Sequence, residues 1–179
     1  MTDVSSGVPA DDRGVVGVQI GRPARGDVRV AARCAYGLPL VVRTPPVLED
    51  GTPFPTLYYL TCPVAVRDIG RLESTGWMAE LTRRLSDDGA FADAYRDAHE
   101  RYRRDRDGGL DGKPDSAGGM PGRVKCLHAL YAHEKADANP VGALVAERIE
   151  PIDCPGRCVR QTDDGRLERV PGHPGFKGR

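Results

Sequence analysis

The sequence predicts an α+β protein, in which a small antiparallel N-terminal sheet of about three strands packs on a bundle of four to five helices. Short apolar segments separated by proline and glycine loops occupy the chain up to about residue 60, and this pattern is typical of strands. From residue 63 to about 149, apolar residues recur three and four positions apart, which indicates amphipathic helices. One earlier apolar run, Val15 to Ile20, fits a helix or a strand equally well.

The predicted domain is a single unit spanning residues 13 to 158, because 179 residues suit one core of useful size. Residues 1 to about 12 are rich in Ser, Gly, Pro and Asp, so we expect a disordered N-terminus. Residues 107 to 120 offer almost nothing to bury, and we expect them to form a mobile loop. Residues 159 to 179 are expected to be a weakly structured tail that begins with a weak hairpin.

Three segments predict an antiparallel meander. In residues 28 to 33, the apolar set Val28, Val30 and Ala32 alternates with the set Arg29, Ala31 and Arg33, as expected for a strand with one solvent-exposed face. The loop that starts at Cys34 has the length and the glycine of a hairpin. Leu38 to Val42 returns as the second strand, and Leu57 to Leu60 forms the third after a longer loop. The first and third strands run in the same direction, so the meander places Cys34 and Cys62 at one end of the sheet.

Pro63 marks the start of the first predicted helix, because proline is favoured at the first helical position. Cys62 then lies at the mouth of this helix, where free backbone N–H groups and the helix dipole favour a thiolate. We therefore expect the pKa of the Cys62 thiol to be lowered. Arg67 and Arg71 lie one and two turns further on, and their charges make this region a candidate anion-binding site.

The helical pattern continues with two further helices and a short last one. Gly76 ends the first helix, and a second follows directly. A third helix, capped by the run Ser86-Asp87-Asp88, carries His99 at the edge of its apolar stripe. Asn139 begins a short helix that runs to Ala146 or Arg148.

A helix predicted to begin near Pro121 carries Cys126, His128 and His133. On a straight helix, Cys126 and His133 would be separated by about 10 Å along the axis, which is too far to share one zinc ion. Cys126 and His128 would point to opposite sides of the same helix. The spacing of these three residues is therefore a weaker metal signal than their identities suggest.

Charge and cysteine content narrow the class of protein. Basic and acidic residues balance at 26 each, so no global charge favours a nucleic acid or an anionic membrane as partner. No apolar run approaches the ~20 residues of a membrane span, and the N-terminus lacks the features of a signal peptide. We therefore expect a cytoplasmic location, where the five cysteines are free thiols, metal ligands or reactive groups.

Four stretches of the chain resemble one known family, the actinobacterial domain-of-unknown-function family 501, over residues 14 to 150. They are RCAYGLPLVVRTPP at 33 to 46, DGTPFPTLYYLTCP at 50 to 63, AYRDAHERY at 94 to 102, and GGMPGRVKCLHALYAHEKA with NPVG at 118 to 142. The resemblance implies a cytosolic bacterial protein. It implies no mechanism, because the family has no established activity.

Three functional hypotheses remain open on the sequence. The first is a small binding or accessory module with an unidentified protein or small-molecule partner, in which the cysteines and histidines are ordinary core and surface residues. The second is a zinc-type metal site, and the third is a thiol-dependent or metal-assisted enzyme. No GxSxG, P-loop, HExxH or dinucleotide fingerprint supports an enzyme, so we expect the binding module.

The second and third hypotheses use overlapping residues. The candidate metal ligands are Cys34, Cys62, Cys126, His128 and His133. The candidate catalytic residues are Cys62 as nucleophile, with an imidazole base supplied by His99, His128 or His133.

Overall fold

The computed structural model describes residues 11–54, 56–106 and 117–176. Within these residues, six α-helices accompany a three-stranded sheet and a separate two-stranded hairpin. The elements are α1 Asp12–Ile20, β1 Arg29–Arg33, β2 Pro39–Arg43, β3 Tyr58–Leu60, α2 Pro63–Glu73, α3 Trp77–Asp87, α4 Gly89–Asp105, α5 Leu127–Ala136, α6 Pro140–Ile149, β4 Val159–Gln161 and β5 Leu167–Arg169, followed by a 3₁₀ turn at Pro174–Phe176. This arrangement confirms the α+β class, with six helices where the sequence predicts four to five.

The predicted meander is confirmed. The strand order is β1-β2-β3, both pairs are antiparallel, and Val41 at the centre of β2 pairs with Ala32 on one side and Leu60 on the other. Cys34 follows β1 and Cys62 follows β3, so the two thiols lie at one end of the sheet. The central strand is buried along Pro39–Val42, because β1 and β3 flank its edges and helices α1 and α5 pack against it.

The apolar run that the sequence leaves unassigned is the helix α1. The side chain of Asp11 caps it by accepting the backbone N–H of Gly14 at 2.9 Å. Val15, fully buried, packs in a small cluster with Leu38 and with Val159 of β4. The hairpin predicted at the start of the C-terminal tail forms as β4 and β5, and α1 packs against it.

The helices cover the main core. Among its fully buried side chains are Val64 and Ile69 of α2 and Leu127 and Leu130 of α5. Gly142 allows α6 to cross α5 closely, because a Cβ atom there would lie 2.3 Å from the carbonyl oxygen of Leu130. Of the helices in the described ranges, none has both the length and the apolar character needed to cross a membrane.

The predicted start of α5 near Pro121 is wrong, since the helix begins at Leu127. Gly118 and Gly119 have φ angles of 64° and 95°, and the backbone N–H of Lys125 donates back to the carbonyl of Gly118 at 2.6 Å. This closed loop keeps the preceding segment out of the helix and makes Cys126 the N-cap, with an extended backbone.

The predicted mobile loop is described only at its end. Its residues 107–116, like the first ten residues of the chain, lie outside the described residues. Residues 117–120 form turns, and Ala117 and Met120 are buried in the main core.

Candidate functional site

Three potential metal ligands meet where the end of α2 approaches the start of α5. The ligand atoms of Glu73, Cys126 and His128 all lie within 4.8 Å of one another. In the described ranges, no other three His, Cys, Asp or Glu side chains come together in this way. A carboxylate, a thiolate and an imidazole are all donors that zinc uses in proteins.

Backbone contacts orient two of the three side chains. His128 Nε2 lies 3.0 Å from the carbonyl oxygen of Val66, which can only accept, so this nitrogen carries the proton and donates it. His128 Nδ1 then faces Oε1 of Glu73 at 3.2 Å. The same Oε1 accepts the backbone N–H of Leu127 at 2.7 Å. A metal-bound histidine commonly donates its other ring N–H to a carbonyl in this way.

The cluster is electrostatically balanced. Burial lowers the pKa of His128, but its hydrogen bonds with Cys126 and the Val66 carbonyl, together with the charge of Glu73, raise that pKa to about 9. The half-buried imidazolium therefore compensates the carboxylate. A divalent cation bound here would replace the proton on Nδ1, because the ligating nitrogen must be deprotonated.

The cluster borders a cavity of about 520 Å³. Cys126 and His128 line it together with apolar and aromatic side chains of β3 and α1, among them Tyr59 and Ile20. Arg22 adds a basic side chain to the wall. Because two of the three potential ligands line this cavity, a metal ion held by them would border a space of small-molecule size.

A second, smaller cavity of about 270 Å³ is lined by four thiols, those of Cys34, Cys62, Cys154 and Cys158. His173 also lines it, and its Nε2 lies 3.4 Å from Sγ of Cys154. The sequence shows Cys154 and Cys158 only as an isolated C-x3-C turn. No local pattern in the sequence indicates that His173 lines this cavity, because only the folding of the C-terminal hairpin brings it there.

The expected lowering of the Cys62 pKa is wrong. Burial raises the pKa of the Cys62 thiol to about 11, although the backbone N–H groups of Ala65 and Val64 lower it in part. The helix start therefore lowers the pKa of Cys62 as predicted, but the loss of solvent on burial raises this pKa by more. Arg67 and Arg71, the candidate anion site, both pair with Asp68.

The remaining candidate histidines lie in the core. His133 is fully buried, with its ring stacked on Tyr58 at 5.6 Å between ring centroids. His99 is buried on the inner face of α4. The structure thus divides the five predicted metal ligands among three places: two at the thiol cavity, two beside Glu73, and one in the core.

Comparison with known proteins identifies one family. The family model described as Protein of unknown function (DUF501) matches residues 30–147. No curated protein and no solved structure matches the chain. Glu73, Cys126 and His128 fall inside the matched region, whereas Cys154, Cys158 and His173 fall after it. The match spans more than half of the chain, which therefore belongs to the DUF501 family of proteins of unknown function.

Proposed function

We propose that the protein is a metal-dependent binding module, in which Glu73, Cys126 and His128 hold a zinc-type divalent ion. The observation that carries this proposal is the approach of three different donor atoms to within 4.8 Å of one another. Two of the donors are already held by backbone groups, so little side-chain freedom would be lost on binding. Free thiols at all five cysteines suit the reducing cytoplasm as the location.

The proposed role of the ion is to bind a small molecule in the cavity of about 520 Å³. Three protein ligands leave the fourth tetrahedral position of zinc for water or for a donor atom of the ligand. Aromatic walls and Arg22 favour a planar or apolar molecule with an anionic group.

A thiol–imidazole pair for nucleophilic chemistry is the second candidate. The hydrogen bond between Cys126 and His128 favours it, because a neighbouring imidazolium stabilises the thiolate, which is the nucleophilic form of cysteine. The two candidates make opposite demands on Cys126. A bound zinc ion masks the thiol, whereas a nucleophile must be accessible.

Metal affinity tests the proposal directly. Zinc binding would be measured by competition with a chromophoric chelator in wild type and in Glu73→Gln, Cys126→Ser and His128→Ala. We expect each substitution to weaken binding by more than the roughly 10–100-fold that loss of an outer-shell partner costs. Glu80→Gln, on the neighbouring helix α3, is the matched control and should bind zinc as wild type does. Equal affinity in wild type and His128→Ala would refute the metal centre.

Alkylation of Cys126 separates the two candidates. With a metal centre, zinc protects Cys126 from iodoacetamide and a chelator restores labelling. If zinc gives no protection and His128→Ala slows the alkylation of Cys126 at neutral pH, the thiol–imidazole pair replaces the metal centre.

A further inference from the structure

Four of the five cysteines surround one cavity, which the Glu73 centre does not use. Cys34 reaches it from the turn after β1, Cys62 from the start of α2, and Cys154 and Cys158 from the loop after α6. The fold thus collects thiols from three separate parts of the sequence.

The thiols surround a space instead of converging on a point. Zinc–sulfur bonds of about 2.3 Å in a tetrahedral site would bring ligand atoms to roughly 4 Å from one another. Among the described residues lining this cavity, no three ligand atoms approach within 4.8 Å of one another. The arrangement therefore does not suit a single metal ion.

We propose that Cys34, Cys62, Cys154 and Cys158 ligate an iron–sulfur cluster in this cavity. Such clusters are held by four cysteine thiolates bound to an inorganic core, so their protein sulfurs are spread around the core and not gathered at one atom. The cavity of about 270 Å³ provides the space for that core between the four side chains.

Hydrogen-bond donors already face the sulfur atoms. The backbone N–H groups of Val64 and Ala65 bond to Cys62, and Gln19 Nε2 lies 3.7 Å from Sγ of Cys158. His173 Nε2 lies 3.4 Å from Sγ of Cys154. Donors of this kind are the groups that stabilise and tune thiolate-bound clusters.

The protons and charges balance without a redox partner. Each free thiol that binds iron releases one proton to solvent, and the core takes its sulfide together with its ferrous and ferric iron from the supplied components, so that no iron changes its oxidation state. The start of helix α2 supplies positive potential beside Cys62, whereas Lys135 on the cavity wall is paired with Glu150 at 2.8 Å, which compensates its charge.

The test is anaerobic reconstitution of the full chain with sulfide and a mixture of ferrous and ferric iron. We expect wild type to take up iron and acid-labile sulfide in equal amounts and to show the visible absorption of sulfur-to-iron charge transfer. The double variant Cys154→Ser/Cys158→Ser should lose both the absorption and the sulfide. Far-ultraviolet circular dichroism checks that the variant is folded. Cys34→Ser should independently lose the same absorption and sulfide.

Cys126→Ser is the matched control, since it removes the one cysteine outside this cavity. It should keep the cluster while it loses zinc at the Glu73 centre, so failure of either site is distinguishable from failure of the other. The proposal is overturned if folded wild type takes up no sulfide, if zinc alone binds to the four thiols, or if Cys126→Ser also abolishes the cluster.

Discussion

His133 illustrates how burial decides the charge of a single residue. Its side chain is inaccessible to solvent, and its Nδ1 lies 3.1 Å from the amide nitrogen of Asn139, which donates to it. The proton is therefore on Nε2, which faces Asp137 Oδ2 at 3.6 Å. Burial lowers the pKa of His133 to about 4, although the charge of Asp137 opposes this shift and that of Arg101 supports it.

Acid should destabilise the fold through His133. In the unfolded chain a histidine binds its proton near pH 6.5, whereas His133 in the folded chain does so only near pH 4. Between these values the unfolded state binds more protons, so the free energy of unfolding falls as the pH falls through this window, by up to roughly 3 kcal/mol. Urea denaturation of wild type and His133→Leu at several pH values measures the effect.

The free energy of unfolding of His133→Leu should depend less steeply on pH between pH 6.5 and 4 than that of wild type. This holds even if the variant is less stable at every pH because Asn139 loses its acceptor. His173→Leu, at a histidine outside the main core, is the control. A slope unchanged in His133→Leu would contradict the assignment of the acid sensitivity to this residue.

At the scale of elements, the crossing of α5 and α6 depends on one glycine. A Cβ atom at Gly142 would lie 2.3 Å from the carbonyl oxygen of Leu130 and 2.4 Å from Cβ of Glu134. These neighbours belong to helix α5, so the two helices would have to separate. We expect Gly142→Ala to lower the free energy of unfolding by roughly 1–3 kcal/mol, measured by chemical denaturation.

Gly70 is the matched control for this prediction. It also lies inside a helix, α2, but a Cβ atom there meets nothing within 4 Å. Gly70→Ala should raise the free energy of unfolding by roughly 0.5–1 kcal/mol, because alanine has the higher helix propensity. If both substitutions stabilised the protein, the close contact at Gly142 would not exist in solution.

At the scale of the whole molecule, segments outside the matched region 30–147 complete the core. Val15 of α1 and Val159 of β4 are both fully buried and pack in one cluster with Leu38 and Cys158. The two ends of the chain therefore stabilise each other across the edge of the sheet. They also form one side of the four-thiol cavity, since Gln19 and Cys158 line it.

A double-mutant cycle tests this coupling. Val15→Ala and Val159→Ala should each lower the free energy of unfolding by about 2 kcal/mol, because each removes buried methyl groups. The loss in the free energy of unfolding of the double variant should differ from the sum of the two single losses by about 0.5 kcal/mol or more, since the two residues share neighbours. Val47→Ala, at a residue that is 41% exposed, should be nearly neutral. Strict additivity would show that α1 and the hairpin are held independently.

Local patterns in the sequence determined most of the elements. The meander, the start of α2 at Pro63, the Asp88 cap of α4 and the Asn139 cap of α6 all follow from signals within a few residues. The start of α5 does not, because a hydrogen bond between Lys125 and Gly118 competes with the helix and periodicity does not encode it.

Only the tertiary structure decided the candidate sites. Glu73 shows no signal in the sequence, since it meets Cys126 and His128 only because α2 and α5 pack side by side. Cys62 is placed correctly at a helix start, yet its pKa moves in the opposite direction to that predicted, because its burial depends on residues far along the chain. Capping and periodicity act over one or two turns of chain, whereas solvent exclusion and ligand geometry depend on distances through space.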